Sequence, residues 1–140
     1  TELFTLKKTD IHLEERWIDL RGTKTKAARR VVPIHKKIIP LIGARMKTPG
    51  EYLFLTSTGA PFTNTTYAAQ FFKPMCEALK LQTHTPHECR HTFATFAHAS
   101  AMNKVLLKKI IGHAAGDLTE DTYTHAFIED LIAEIDKLNL

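Results

Sequence analysis

Only two cysteines, Cys76 and Cys89, occur in the 140 residues, and they lack a Cys-x-x-Cys spacing, so a disulfide framework is not expected and a reduced, cytoplasmic setting is. No run of about 18 apolar residues is present, and no basic-then-apolar leader opens the chain, which argues against a membrane or export role. Internal repeats and low-complexity segments are missing too. So is any cluster of carboxylates of the kind that would hold a metal.

At 44% hydrophobic and this length, the chain has material for one core and reads as a single domain. Nineteen Lys and Arg against fifteen Asp and Glu give a net charge of +4 and a pI near 9.1. That bias favours an anionic partner and permits nucleic acid. The opening "TELFTLKK" reads as the end of a helix, as expected for a piece of something longer.

"RWIDL" (16–20) and "RRVVPI" (29–34) have strand composition, and the intervening "RGTKTKAA" carries turn residues, which predicts an antiparallel hairpin with a basic loop. A helix is expected over Ile38 to Met46, ended by Pro49-Gly50, and "YLFL" (52–55) reads as a short third strand. Helices are predicted over Tyr67 to Leu81, His87 to Ala99, Lys104 to Ile111 and Phe127 to Leu138. The class is α+β, mostly helical with a small three-stranded antiparallel sheet.

The stretch "TPHECRHTFATFA" (85–97) holds two competing motifs. At 100° per residue, Cys89, Phe93 and Phe96 fall on one arc, expected to be core, while His87, Arg90, His91, Ala94 and His98 fall on another. His87 and Arg90 lie one turn apart, so an imidazole and a planar guanidinium fork can meet on one phosphate. His87-Glu88-x-x-His91 also matches a zinc hydrolase helix. Against that reading, His98 lies roughly 10 Å beyond His91 along the axis, Ala94 and Ala97 stand where the elongated metalloprotease pattern wants Gly and His, and Arg90 would adjoin a dication. Taken singly, each histidine reads as an ordinary partly buried residue.

Downstream, "KKIIGHAAGDLTEDTYTH" (108–125) tips the balance. Asn103 is suited to cap a short helix, Lys108 and Lys109 to its last turn, and Gly112 to a left-handed stop, so His113 is delivered at a fixed place. Thr119 suits the cap of another turn with Glu120 and Asp121 in it, presenting Tyr123. Histidines, an arginine, a tyrosine and a basic hairpin suit metal-free phosphoryl transfer.

At this point the sequence resembles the catalytic domain of tyrosine recombinases, the phage integrase family. "TPHECRHTFATFA" is similar to the family's His-x-x-Arg-His-Thr-Phe-Ala-Thr block, "IIGH" to its Leu-Gly-His and "TEDTYTH" to its Thr-x-x-x-Tyr-x-His. "TELFTLKKTDI" resembles Ser-Glu-Leu-x-x-Leu-x-x-x-Asp-Ile, and "GTKTKAARRVVPI" resembles the Lys-bearing hairpin followed by Arg-x-Val-Pro-Leu. The blocks run in order along essentially the whole chain.

The resemblance implies site-specific DNA cleavage and rejoining through a 3′-phosphotyrosyl intermediate, with no cofactor and no metal. Tyr123 would be the nucleophile, Arg90 the bidentate phosphate clamp, and His87 and His113 the proton-handling and donating imidazoles. Lys24 would be the general acid, with Lys26 as the alternative; Glu2 and His91 would support the site. Arg21, Lys24, Lys26, Arg29 and Arg30 would contact DNA. The expected partner is double-stranded DNA at a recombination site, in a tetramer on DNA, with a monomer expected for a lone fragment and a nucleoid-associated, cytoplasmic location.

Glu88-Cys89 departs from the family's commoner Asp-Leu. The family's first catalytic arginine would precede Thr1, and so would its core-binding domain. The 140 residues alone are therefore expected to be an N-terminally truncated catalytic domain, inactive by itself. Two rival readings are a non-catalytic DNA-binding regulator and the zinc hydrolase. The last helix, with Phe127, Leu131, Ile132, Ile135 and Leu138 on one stripe, is suited to cover its own core or a neighbour's.

Overall fold

The computed structural model describes residues 2–21, 29–82, 84–112 and 125–139. Its sheet is β1 (Ile11–His12), β2 (Trp17–Arg21) and β3 (Arg29–Pro33), antiparallel in that order. The hairpin register pairs Trp17 with Pro33 and Arg21 with Arg29. The tight link from β1 to β2 works because Arg16 takes a left-handed φ of 64°. Two sets of bonds hold it there. Its carbonyl accepts from Ile34 N at 2.8 Å, and its guanidinium donates to Ile34 O at 3.0 and 3.2 Å.

The third strand is therefore Ile11–His12 and not the expected 52–55 run. That run is extended but pairs at single points, Tyr52 with Lys7 and Leu55 with Pro61. Leu53 N donates to Leu6 O at 2.9 Å, and the buried Leu53 side chain joins Leu6, Ile11 and Ile34 in one cluster. Hydrophobicity here marks burial and not ladder pairing. The opening residues are likewise 3₁₀ turns, Glu2–Thr5 and Lys8–Asp10, in place of a helix end.

Six helices follow in the described residues: α1 (Ile39–Met46), α2 (Asn64–Tyr67), α3 (Lys73–Ala78), α4 (Glu88–Ala99), α5 (Lys104–Ile111) and α6 (His125–Ile135). The expected single helix of 67–81 is segmented. Thr63 caps α2, and a wide π turn, Ala68–Phe72, leads to α3. Pro74 stands in the first turn of α3, where its missing N–H and its ring disturb the preceding i→i−4 ladder.

Both α3 and α4 end in Schellman turns with a non-glycine residue in the left-handed position, Lys80 at φ 54° and Ala101 at φ 52°. In the second, Met102 N donates to Ala97 O at 3.0 Å and Ala101 N to His98 O at 3.1 Å. The buried Met102 and Ala97 side chains join the same core cluster, as that motif favours.

The main core holds Val31 of β3 against Ala97, Met102, Ile110, Ile128, Leu131, Ile135 and Leu138. The apolar stripe of α6 thus covers its own domain, with Leu131 only 1% exposed. Past α6 the chain is pinned to the sheet: Asp136 receives the Arg16 guanidinium at 2.6 and 3.0 Å. Buried His35 completes the dock. Its Nδ1 accepts from Lys37 N and its Nε2 donates to Leu138 O, both at 3.2 Å. Among the described residues no helix is long and apolar enough to cross a membrane.

Candidate active site

The helix α4 begins with its own carboxylate turned back. Glu88 accepts from Thr85 N and Oγ1 at 3.0 Å and lies 2.6 Å from His84 Nδ1. These bonds fold the Glu88 carboxylate back on the residues that lead into α4. The His84 contact first, then the Thr85 bonds, hold the Glu88 carboxyl below its ordinary pKa. Glu88 is thereby occupied away from the water it would have to activate in a zinc site. Among the described residues no group of three or more metal-binding side chains forms.

The buried arc of α4 differs from expectation. Ala97 is fully buried, with Arg90, Phe93 and Ala94 half-buried beside it, while Cys89 is exposed and Phe96 is 50% exposed. Ala97 sits in the main core and Phe93 packs against it, while Phe96 faces outward. The consequence falls on Arg90: it lies on the inward arc. His87 and His91 remain exposed on the flank, their rings edge to face at 5.6 Å.

Inward of α4 lies a compact ionic group. Arg30 closes a bidentate pair on Glu2, Nη1 to Oε1 and Nη2 to Oε2, each at 2.9 Å. Its Nε donates to Ile110 O at 3.0 Å, and its side chain is only 12% exposed. The Arg30 hydrogen bonds hold the Glu2 carboxyl below its ordinary pKa, with a further through-space pull from Arg90. The Glu2 carboxylate is thus paired with the Arg30 guanidinium.

The same group fixes the end of α5. Asn103 Oδ1 accepts from Val105 N at 2.9 Å and Leu106 N at 3.3 Å, the expected cap. Gly112 ends the helix at φ 74°, the expected left-handed stop. A Cβ on Gly112 would lie 3.0 Å from Arg30 Nε, Cζ and Nη1, so the glycine also gives the guanidinium room.

The fate of the expected site residues is therefore divided. Arg30 brings Glu2 and the α5 terminus together, while Arg90, His87 and His91 share α4, Arg90 half-buried and the two histidines exposed. Lys24, Lys26, His113 and Tyr123 lie outside the described residues. Arg21 is 68% exposed, with Nη2 at 2.8 Å from the buried Asp10 carboxylate, and keeps an outward reach. Arg29 is placed by backbone pairing only. Arg30, expected on DNA, has a side chain only 12% exposed, bonded to Glu2 and to Ile110 O and packed by Gly112. A signal for this existed, because strand alternation implies that one of two successive arginines turns inward.

The sequence model described as the phage integrase family matches residues 1–129. The chain is 28% identical to the tyrosine recombinase XerA of Pyrococcus horikoshii over 149 aligned positions, covering all of this chain and 50% of that protein. It is 42% identical over 60 residues to the transposase of transposon Tn916 from Enterococcus faecalis, covering 43% of this chain and 15% of that one. The fold superposes on the crystal structure of XerA recombinase with a TM-score of 0.71 at 25% identity, covering 94% of this chain and 46% of that one. A Tn1549 transposon integrase in complex with circular intermediate DNA matches at 0.69 and 26%, covering 93% and 54%. The chain spans about half the length of the curated relatives it matches from end to end.

Proposed function

This chain belongs to the phage integrase family, and on that premise we propose that it is the catalytic domain of a site-specific DNA recombinase. The observation that carries this reading is the half-buried Arg90 of α4 in its His-x-x-Arg setting, within a family match that runs past Tyr123.

In the proposed reaction the Tyr123 hydroxyl attacks a backbone phosphorus. A P–O bond to the tyrosine forms as the P–O5′ bond breaks, leaving a 3′-phosphotyrosyl link and a free 5′-hydroxyl. Arg90 binds two non-bridging oxygens as charge builds on them. His87 takes the tyrosine proton or donates to the phosphate, His113 donates from the other side, and Lys24, or Lys26 in its place, protonates the departing 5′-oxygen. Reversal with a different 5′-hydroxyl rejoins the strand, so the phosphate bond energy is conserved without a cofactor.

The substrate in this reading is double-stranded DNA at a recombination site, approached by a basic surface that includes Arg21 and engaged in a tetrameric assembly, in the cytoplasm on the nucleoid. The Tn1549 integrase in complex with DNA supports the DNA partner. The chain spans about half the length of the relatives it matches, so the test uses protein extended upstream of Thr1.

That protein is incubated with nicked duplexes carrying the ends of its element and resolved under denaturing conditions. A covalent protein–DNA band that disappears in Tyr123→Phe is the expected result. Salt-dependent binding without any band would instead make the protein a DNA-binding regulator.

A further inference from the structure

Arg30 joins three separate parts of the chain through one planar group. Nη1 and Nη2 reach the N-terminal turn at Glu2, Nε reaches the last turn of α5 at Ile110 O, and the side chain springs from β3 beside the hairpin root, where Leu20 is its partner. Gly112 packs against the same guanidinium. These are the roots from which the hairpin loop, with Lys24 and Lys26, and the segment beginning at His113 depart.

We infer that Arg30 is a positioning residue for DNA cleavage, registering the Glu2 turn, the hairpin root and the end of α5 against Arg90 without itself touching DNA. The inference rests on the recombinase reading above. Its physical basis is the fork. A lysine carries the same charge but cannot direct rigid donors at a carboxylate and a carbonyl together. Misplacing reacting groups by about 1 Å is enough to slow a reaction roughly 100-fold.

The test compares wild-type, Arg30→Lys and Arg30→Met forms of the upstream-extended protein in three measurements on the same nicked duplex. These are the single-turnover rate of adduct formation, the slope of log binding constant against log salt, and the folded fraction by thermal melting at the assay temperature. Positioning predicts a rate per folded molecule lowered roughly 100-fold in Arg30→Met and only partly recovered in Arg30→Lys, with the salt slope unchanged in both.

A slope reduced by about 0.9 in Arg30→Met would make Arg30 a phosphate contact and overturn the inference. A wild-type rate per folded molecule in Arg30→Met would reduce Arg30 to a structural residue and overturn it equally. No adduct from the wild-type protein would remove the recombinase reading, and the inference with it; an adduct from wild type isolates the question to Arg30.

Discussion

Arg30 and Gly112 occupy one space: the Cβ that glycine lacks would stand 3.0 Å from three atoms of a guanidinium already bonded to Glu2 and Ile110. The φ of 74° at Gly112 adds a second penalty for any other residue. Gly112→Ala is expected to lose about 1–2 kcal/mol from the left-handed backbone alone. Thermal melting checks this, and an unchanged midpoint would mean that the α5 terminus relaxes freely around Arg30.

The two non-glycine Schellman turns offer the reverse change. Ala101 holds φ 52°, a conformation glycine adopts without steric penalty. Ala101→Gly is expected to stabilise by about 0.5–1 kcal/mol and to raise the melting midpoint by about 2–3 °C. A fall in the midpoint would show that the lost entropy of the unfolded chain outweighs the relieved strain.

How far the sequence disclosed this fold depended on the range of the interaction. Asn103, Gly112 and the basic hairpin were legible because caps, stops and turns act within a few residues. Lys80 and Ala101 concealed their turns by not being glycine. The α4 arc was misplaced because the core takes the small Ala97 with Phe93 and leaves Cys89 and Phe96 outside. The Arg16–Asp136 pair joins residues 120 positions apart, beyond any local pattern. For the proposed site, the His-x-x-Arg spacing on α4 could be read from the sequence, whereas the inward placement of Arg30 depends on which strand face meets α5.

That long-range pair predicts the acid limb of stability. The Arg16 hydrogen bonds, foremost, hold the Asp136 carboxyl below its ordinary pKa. A carboxylate with a depressed folded-state pKa contributes stability that is present above its unfolded value, near about 3.9, and lost as pH falls through the folded value. Asp136→Asn is expected to destabilise by roughly 1 kcal/mol at neutral pH and to flatten the loss below about pH 4. Urea midpoints of both proteins across pH 3 to 7 give the comparison; parallel curves would contradict it.

Glu88 separates a local structural role from a hydrolytic one. As a partner of Thr85 and His84, it predicts that Glu88→Gln lowers the melting midpoint slightly and leaves DNA cleavage within a few fold of wild type. Cleavage abolished in Glu88→Gln, together with wild-type cleavage that a chelator inhibits, would return the His87-Glu88-x-x-His91 motif to a metal role.

Leu131, at 1% exposed in the main core, is expected to lose about 2–5 kcal/mol on truncation to alanine. A loss below about 1 kcal/mol, by denaturant melting of the isolated 140 residues, would mean that α6 does not cover its own domain in solution.

The central claim is the chemical link at Tyr123. Nicked DNA labelled on either side of the cleavage site is trapped with the upstream-extended protein, the adduct is digested with protease and nuclease, and the modified peptide is sequenced by mass spectrometry. The account predicts a nucleotide joined through its 3′-phosphate to the Tyr123 oxygen, with a free 5′-hydroxyl on the released strand. A 5′-phosphate on the protein, a link to another residue, or hydrolysed DNA with no peptide adduct would contradict it.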